Sequence, residues 1–347
     1  GGLVGSTNLA SVITSGYGSV TSLTFNPGSG LTRTYTGAIT DGVAGMTVTK
    51  TGAGTQILGG ANAYTGDTTV STGTLRLGVG SSLVGNIANA AALELVQGGA
   101  ATGEASGLIS GTGSLTMTGT GAVRLTNVAN TYTGKTTVAS GVLEAVVISG
   151  SGVAGSLGQP TGANATIDLG SVSTTGTLRY VGATAATTNR PFNLGSNAGG
   201  GIDGSGGALT VTGTVTGGTG TKTFTLSGTS TALNTIGTIT GTGVSVVKDG
   251  TGLWRMNAAN TFNGALTVKN GTLQVANSSA IGSTVAIGDT AAGASGAAAF
   301  LLEQNLSSPA NFDVLASAGT QAALIGGAST TGTSTSVSYT HLRAHET

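Results

Sequence analysis

One serine of the chain has the local sequence of a nucleophile. Ser230 lies in GTSTA, residues 228–232, whose small residues could present its hydroxyl to a substrate. A serine nucleophile needs a general base within hydrogen-bond reach, normally a histidine held by a carboxylate. The 347-residue sequence contains two histidines, His341 and His345, both near its C-terminal end. Because Ser/Thr/Gly-rich sequences produce such pentapeptides readily, we predict a structural Ser230 and no catalytic residue.

Two further segments match binding patterns. ANTYTGKT, residues 129–136, fits a loosened phosphate-binding loop with Lys135 and Thr136 in the phosphate-contacting places. Such a loop runs from a strand into a helix, whereas this segment lies in a strand–turn–strand repeat. GGGIDGSGG, residues 199–207, echoes one calcium-binding nonapeptide around Asp203, but calcium coils need tandem copies. We predict a glycine-rich turn there, and no metal or other cofactor.

A repeat sets the elements that position these residues. The stretch KTGAGTQILGGANAYTGDTTVSTGTLRL, residues 50–77, returns in altered form at 118–145 and at 248–275; we call these the first, second and third copies. In each copy an aromatic residue has an Asn two positions before it, a Gly two positions after it, and a Leu further on. These repeat positions are Asn62, Tyr64, Gly66 and Leu75; Asn130, Tyr132, Gly134 and Leu143; and Asn260, Phe262, Gly264 and Leu273.

Each copy has the pattern of short strands separated by turns. Apolar and polar residues alternate in Thr74-Leu75-Arg76-Leu77, while Gly, Asn and Thr-Gly pairs bound the runs. A unit of two or three strands cannot bury its own apolar face, so successive copies must stack. The sequence therefore predicts an all-β parallel β-solenoid, with the leucines and Val70 inside and Arg76 outside. The other residues predicted to point inward are Leu77, Val138, Leu143, Val268, Leu273 and Val275.

The composition supports a coil and argues against several classes of partner. The chain has 64 Gly, no Cys, 7% charged residues and a formal net charge of +0. It has no basic stripe for nucleic acid and no long apolar run for a membrane. The many glycines fit sharp turns at every winding. A cysteine-free chain also suits transit through an oxidising compartment. The start at Gly1, without Met, leads us to expect an internal fragment.

We assign residues 1–336 to one β-helical fragment. The repeats lie near residues 46–78, 114–146 and 244–276, and a degenerate copy is expected near 175–230. The last stretch, VSYTHLRAHET at 337–347, differs in composition from the rest and carries both histidines. It is similar to a translated sequencing-library adapter, and we predict that this tail is not native.

The recurring pattern T-G-x-G-T-x-x-L-x-G-x-N-x-Y-x-G-x-T-x-V-x-x-G-x-L, carried by residues 51–75, resembles the autotransporter-associated β-strand repeat, also called the passenger-associated transport repeat. The segments GLISGTGSL, residues 107–115, and SLTFNPGSG, residues 22–30, also resemble pieces of such passengers. The resemblance implies a right-handed parallel β-helix of the pectin-lyase-like class. It also implies type V secretion, a translocator β-barrel elsewhere in the same parent chain, and anchoring of the passenger on a Gram-negative outer membrane.

We therefore expect a non-enzymatic stalk or spacer, with an adhesive surface toward host or neighbouring-cell molecules as a further role. One alternative is a polysaccharide-cleaving enzyme on the same β-helix, which would need clustered carboxylates. Another is a fibre module of a phage or pilus-like assembly. Acidic residues such as Glu94, Glu104 and Glu144 fall singly in the sequence, so we predict isolated, solvated charges. Trp254 is predicted to be a packed residue on the same strand face as Met256.

Overall fold

The chain folds almost entirely into short β-strands. The computed structural model describes residues 1–78, 85–195, 198–277, 281, 284–289, 297–303, 311–314 and 322–327. Helix in this part is limited to α1, Leu9–Val12, and two 3-10 turns at Tyr17–Ser19 and Gly162–Ala165. All strand pairings found there are parallel, as expected for a chain that re-enters each winding in one direction. The prediction of an all-β parallel solenoid is confirmed.

Two compact units make up the chain, Gly1–Asp168 and Leu169–Thr347. In the first unit, one sheet has the order β1-β3-β5-β7-β10, a second β2-β4-β6-β8-β11-β13 and a third β9-β12-β14. The strands of the first sheet are β1 Ser22–Phe25, β3 Thr47–Lys50, β5 Thr68–Val70, β7 Ile87–Asn89 and β10 Ile109–Ser110. Those of the second are β2 Thr32–Tyr35, β4 Thr55–Leu58, β6 Thr74–Leu77, β8 Ala92–Gln97, β11 Ser114–Gly119 and β13 Thr136–Val138. Those of the third are β9 Thr102–Ala105, β12 Ala122–Leu125 and β14 Gly141–Ala145. Strand β15, Ile167–Leu169, spans the division.

The second unit has the same construction, with sheets β16-β19-β22-β25-β27-β29-β31, β17-β20-β23-β26-β28-β30-β32 and β18-β21-β24. The first sheet contains β16 Gly176–Tyr180, β19 Gly199–Gly204, β22 Lys222–Ser227, β25 Val244–Lys248, β27 Leu266–Val268, β29 Thr284–Ile287 and β31 Asn311–Val314. The second contains β17 Ala186–Thr188, β20 Leu209–Val211, β23 Asn234–Ile236, β26 Leu253–Met256, β28 Gly271–Val275, β30 Ala297–Leu302 and β32 Ala322–Gly327. The third contains β18 Phe192–Leu194, β21 Val215–Thr216 and β24 Ile239–Thr240.

The core is the column of side chains that points into the coil. In β6, Leu75 and Leu77 are 0% and 5% exposed, while the side chain of Arg76 between them is 39% exposed. The predicted register is therefore confirmed, because a shift by one residue would exchange these faces. The counterparts in the other copies are equally enclosed. Val70, Val138, Leu143, Val268, Leu273 and Val275 are all buried.

Glycine closes the turn that leads into the last strand of each copy. Gly73, Gly141 and Gly271 have φ near 70°, a left-handed conformation that glycine adopts without strain. A Cβ on Gly73 would lie 2.4 Å from two carbonyl oxygens of the preceding winding. The turn therefore needs glycine both for its φ and for its close approach to the winding beneath.

The glycine-rich segment 199–207 corrects one expectation. Residues Gly199–Gly204 form strand β19 instead of a turn, and all six are buried. The strand pairs in parallel with β16 on one side and β22 on the other. A Cβ on Gly200 would lie 2.4 Å from Leu169 Cβ. Here glycine fits a strand into a crowded interior, a packing requirement that a turn-forming composition does not reveal.

Two assignments remain predictions. Residues 337–347, with His341 and His345, lie outside the described residues. The degenerate copy expected near residues 175–230 falls in the region of β16 to β22.

Candidate functional site

The repeat positions form a polar joint between strands inside the coil. The Tyr64 hydroxyl lies 2.7 Å from Thr68 Oγ1, and in the second copy the Tyr132 hydroxyl lies 2.8 Å from Thr136 Oγ1. Both pairs are buried. Burial raises the pKa of Tyr64 to about 12, so its hydroxyl stays protonated at neutral pH. In each of these two copies, one hydroxyl pair satisfies both groups.

The third copy replaces both partners together. Phe262 stands at the tyrosine position and Leu266 at the threonine position, and both are buried. Neither side chain has a hydroxyl, so none is left without a partner. The sequence analysis did not identify Thr68 or Thr136, although the paired change to Phe262 and Leu266 was a visible signal.

Two of the three repeat asparagines connect neighbouring windings through their amide groups. Asn130 Oδ1 accepts a hydrogen bond from Ile109 N at 2.8 Å, and its Nδ2 donates to Ser156 O at 2.9 Å. Asn260 Oδ1 accepts from Ile239 N, also at 2.8 Å. Asn62 is equally buried, but its amide has no hydrogen-bond partner among the described residues. The asparagine joint is thus complete in the second copy and open in the first.

The glycine after the aromatic residue has a packing role in all three copies. A Cβ on Gly66, Gly134 or Gly264 would lie 2.3, 2.0 or 2.3 Å from a carbonyl oxygen of the previous winding. Real Cβ atoms do not approach so closely. These glycines therefore allow consecutive windings to meet backbone to backbone, which explains their place in the repeat.

Lys50 and Lys248 point into the core, which the sequence analysis did not predict. Lys50 ends β3 and Lys248 ends β25, and both are 0% exposed. Lys50 Nζ donates to Thr51 O and Gly52 O at 2.8 Å and to Thr72 O at 3.0 Å. Lys248 Nζ donates likewise to the carbonyls of Asp249, Gly250 and Asn270. Each ammonium group thus joins the turns of two successive windings.

Burial acts against the charge of these ammonium groups. Burial lowers the pKa of Lys50, and it lowers the pKa of Lys248 to about 8, with the nearby Asp249 carboxylate opposing the shift. In the second copy Met117 takes this place, since it lies opposite Val138 as Lys50 lies opposite Val70. The position therefore accepts an apolar side chain of similar length, and the lysine is not essential to the winding.

Charges on the outer faces stack in pairs, which corrects the expectation of isolated, solvated charges. Arg76 Nε lies 2.8 Å from Glu94 Oε2, and Arg124 Nε lies 2.7 Å from Glu144 Oε2. The partners are 18 and 20 residues apart and face each other on adjacent parallel strands. One winding takes about 18 to 20 residues here, so an acid that stands alone in the sequence lies beside a base of the neighbouring winding. Each of these two pairs joins an acid to a base.

The segments with enzyme-like or ligand-binding patterns have structural partners. Ser230 is buried, and its Oγ accepts a hydrogen bond from Ala232 N at 3.3 Å in a local turn. Lys135 Nζ lies 2.5 Å from Asp168 Oδ2, and it directly precedes strand β13, not a helix. Trp254 is fully buried and donates from Nε1 to Ser227 O at 2.8 Å. These residues are part of the packing of the coil.

A polar cleft lies in the second unit where β16, β19, β22 and β25 end. Its volume is about 520 Å³, and its walls include Arg179, Asp203, Ser205, Ser227, Thr229 and Asp249. Arg179 Nε lies 3.0 Å from Asp203 Oδ2, and Ser205 Oγ donates to Asp203 Oδ1 at 2.5 Å. The glycine-rich strand β19 thus places Asp203 at the floor of a cleft, within an ion pair.

Within the described part of the chain, no group of three or more His, Cys, Asp or Glu residues is arranged to hold a metal ion. None of the helices found in the same residues is long and apolar enough to cross a membrane.

Comparison with known proteins identifies the repeat. The model of the family described as passenger-associated-transport-repeat matches residues 48–77, 111–145 and 246–275. The chain is 31% identical over 248 residues to the Adhesin BmaC autotransporter of Brucella suis biovar 1 (strain 1330), a match that covers 59% of this chain and 7% of that relative. No solved structure matches the chain. The chain thus carries three passenger-associated transport repeats on a parallel β-solenoid, and its similarity to an autotransporter adhesin supports its identification as part of an autotransporter passenger.

Proposed function

We propose that this chain is a structural spacer in an autotransporter passenger, held at or released from the surface of a Gram-negative bacterium. Its outer faces supply adhesive contacts to molecules of a host or neighbouring cell. A translocator domain in the parent chain carries it across the outer membrane. One observation supports the proposal: the strands described in each unit pair in parallel from one winding to the next, over an interior filled by side chains. Such a coil gains length with each winding, by about 4.8 Å.

The spacer role can be tested by removing one winding. Leu115 lies opposite Thr136, so deletion of residues 115–135 joins Ser114 to Thr136 with the inward and outward faces preserved. We expect this deletion variant, placed between an export signal and a translocator domain with an N-terminal epitope, to display the epitope on intact cells. A control deletion of residues 115–125 removes part of a winding and breaks the register. Equal loss of display in both variants would contradict the spacer proposal.

The absence of catalysis needs a separate test. The purified chain is incubated with polysaccharide, ester and peptide substrates, with and without calcium. We expect no turnover, since the described residues place Ser230 in a local turn and join the outer acids to bases. Turnover that Ser230→Ala abolishes would support the enzyme alternative and overturn this part of the proposal.

A further inference from the structure

The polar cleft differs from the other stacked ion pairs in what surrounds it. In the Arg76–Glu94 pair, Glu94 accepts one further hydrogen bond, from Thr118 Oγ1 at 2.9 Å. The Arg179–Asp203 pair instead lines an open cleft of about 520 Å³ bordered by a second carboxylate, Asp249, and by further hydroxyls. One winding of 24 residues separates Arg179 from Asp203.

The acceptor at the floor of the cleft is fixed before any ligand arrives. The Asp203 side chain is 8% exposed, and its two oxygens are held by Arg179 and Ser205. The Arg179 side chain is 33% exposed and lines the cleft beside Asp203. A rigid, oriented carboxylate and guanidinium lose little conformational freedom on binding.

The charges around the cleft balance. The cleft wall carries the carboxylates of Asp203 and Asp249 and the guanidinium of Arg179. Behind it, the buried ammonium of Lys248 donates to the carbonyls of Asp249 and Gly250. Two carboxylates and two cationic groups give no net charge at neutral pH. This favours an uncharged ligand over a metal ion, an anion or a basic peptide.

We propose that the polar cleft binds a neutral saccharide through neighbouring hydroxyl groups. Each sugar hydroxyl both donates and accepts, which matches a wall that alternates carboxylate, guanidinium and hydroxyl groups. The exposed Asp249 carboxylate accepts from the sugar, Ser227 and Thr229 donate or accept, and the fixed Arg179–Asp203 pair borders the site. The inference deepens the proposed function, because it gives the adhesive role a ligand class and a place.

Sugar binding is measured on the purified full chain. The result therefore does not depend on whether the chain is displayed on cells. Heteronuclear NMR spectra are recorded with mannose, galactose, glucose and N-acetylglucosamine at millimolar concentration, the range expected for one shallow polar site. We expect at least one of these sugars to shift amide signals of residues 227–229 and 249–250. Asp249→Asn and Thr229→Ala change exposed residues and should each weaken the binding about tenfold. Glu94→Gln, on a stacked ion pair away from the cleft, should leave the binding unchanged.

Several outcomes would overturn the inference. Absence of shifts with all four sugars, with a folded spectrum, would do so. Equal binding by wild type, Asp249→Asn and Thr229→Ala would place the sugar elsewhere. Shifts at these amides with calcium or a lysine tripeptide, and none with sugar, would show a cation site. None of these results contradicts the spacer proposal. If the chain binds sugar but the winding deletion abolishes display on cells, the spacer proposal is wrong and the saccharide site is not.

Discussion

Buried polar side chains in this protein lie where the chain joins one strand or winding to the next, and each needs its own partner. The Tyr64–Thr68 and Tyr132–Thr136 hydroxyl pairs and the Asn130 amide illustrate this. A buried hydroxyl that loses its partner costs about 1 to 3 kcal/mol, whereas replacing both members by apolar groups can be nearly neutral. The third copy, with Phe262 and Leu266, is the natural form of that double replacement.

Tyr64→Phe and Thr68→Val should each lower the free energy of unfolding by about 1 to 2 kcal/mol, because each leaves one buried hydroxyl unpaired. The double variant should recover most of that loss, giving a coupling energy in a double-mutant cycle measured by urea unfolding. Phe262→Tyr is the matched control: it should destabilise the third copy, since Leu266 offers no acceptor. Strictly additive effects at Tyr64 and Thr68 would contradict this account.

Lys248 gives the protein a distinct dependence on pH. Burial lowers the pKa of Lys248 to about 8 from an ordinary value of 10.5. Between these values the unfolded chain holds a proton that the folded chain has released, so the free energy of unfolding rises with pH. Below pH 8 both states are protonated, and this contribution is constant. Urea unfolding should therefore give a free energy of unfolding that is about 1 to 2 kcal/mol larger at pH 9.5 than at pH 7.0. This gain should depend on Lys248.

Lys248→Met is the variant that tests this dependence, because Met117 already fills the equivalent place in the second copy. It should fold and should lose the rise between pH 7.0 and pH 9.5. Lys269→Met, at an exposed lysine paired with Asp289, controls for a general effect of charge. If the wild type and Lys248→Met respond equally to pH, the buried ammonium is not the cause.

The strands and turns of one winding pack closely against those of the next. The glycines at these contacts show most directly how close the packing is. Gly134→Ala would place a Cβ 2.0 Å from Gly113 O, with backbone on both sides of the contact. We expect a loss of about 1 to 3 kcal/mol in the free energy of unfolding. Gly28→Ala is the control, since its Cβ would lie 3.6 Å from Leu31 Cδ1, an ordinary contact. Similar stability of the two variants, measured by urea unfolding, would refute the close-approach argument.

Features within one strand could be predicted from the sequence, whereas contacts between windings could not. Alternation within a strand is local, so the inward positions of Leu75 and Leu77 followed from the sequence alone. Contacts between windings depend on how many residues each winding takes, and this number is not constant: it is 18 for Arg76–Glu94 and 24 for Arg179–Asp203. The ion pairs and the polar cleft therefore could not be read from spacing. The inward lysines were missed because their three carbonyl partners come from two windings.

Across the molecule, stability should be a sum of local terms, because each winding contacts mainly the one before and the one after. Leu115 is fully buried in β11, between β8 and β13. Leu115→Ala should cost about 2 to 5 kcal/mol. Hydrogen exchange followed by mass spectrometry should then show faster exchange in peptides covering Ala92–Gln97 and Thr136–Val138. Peptides covering Thr32–Tyr35, which lie three strands beyond β8 in the same sheet, should keep their wild-type rates. Uniformly faster exchange across Gly1–Asp168 would instead mean that this unit unfolds as a single cooperative block.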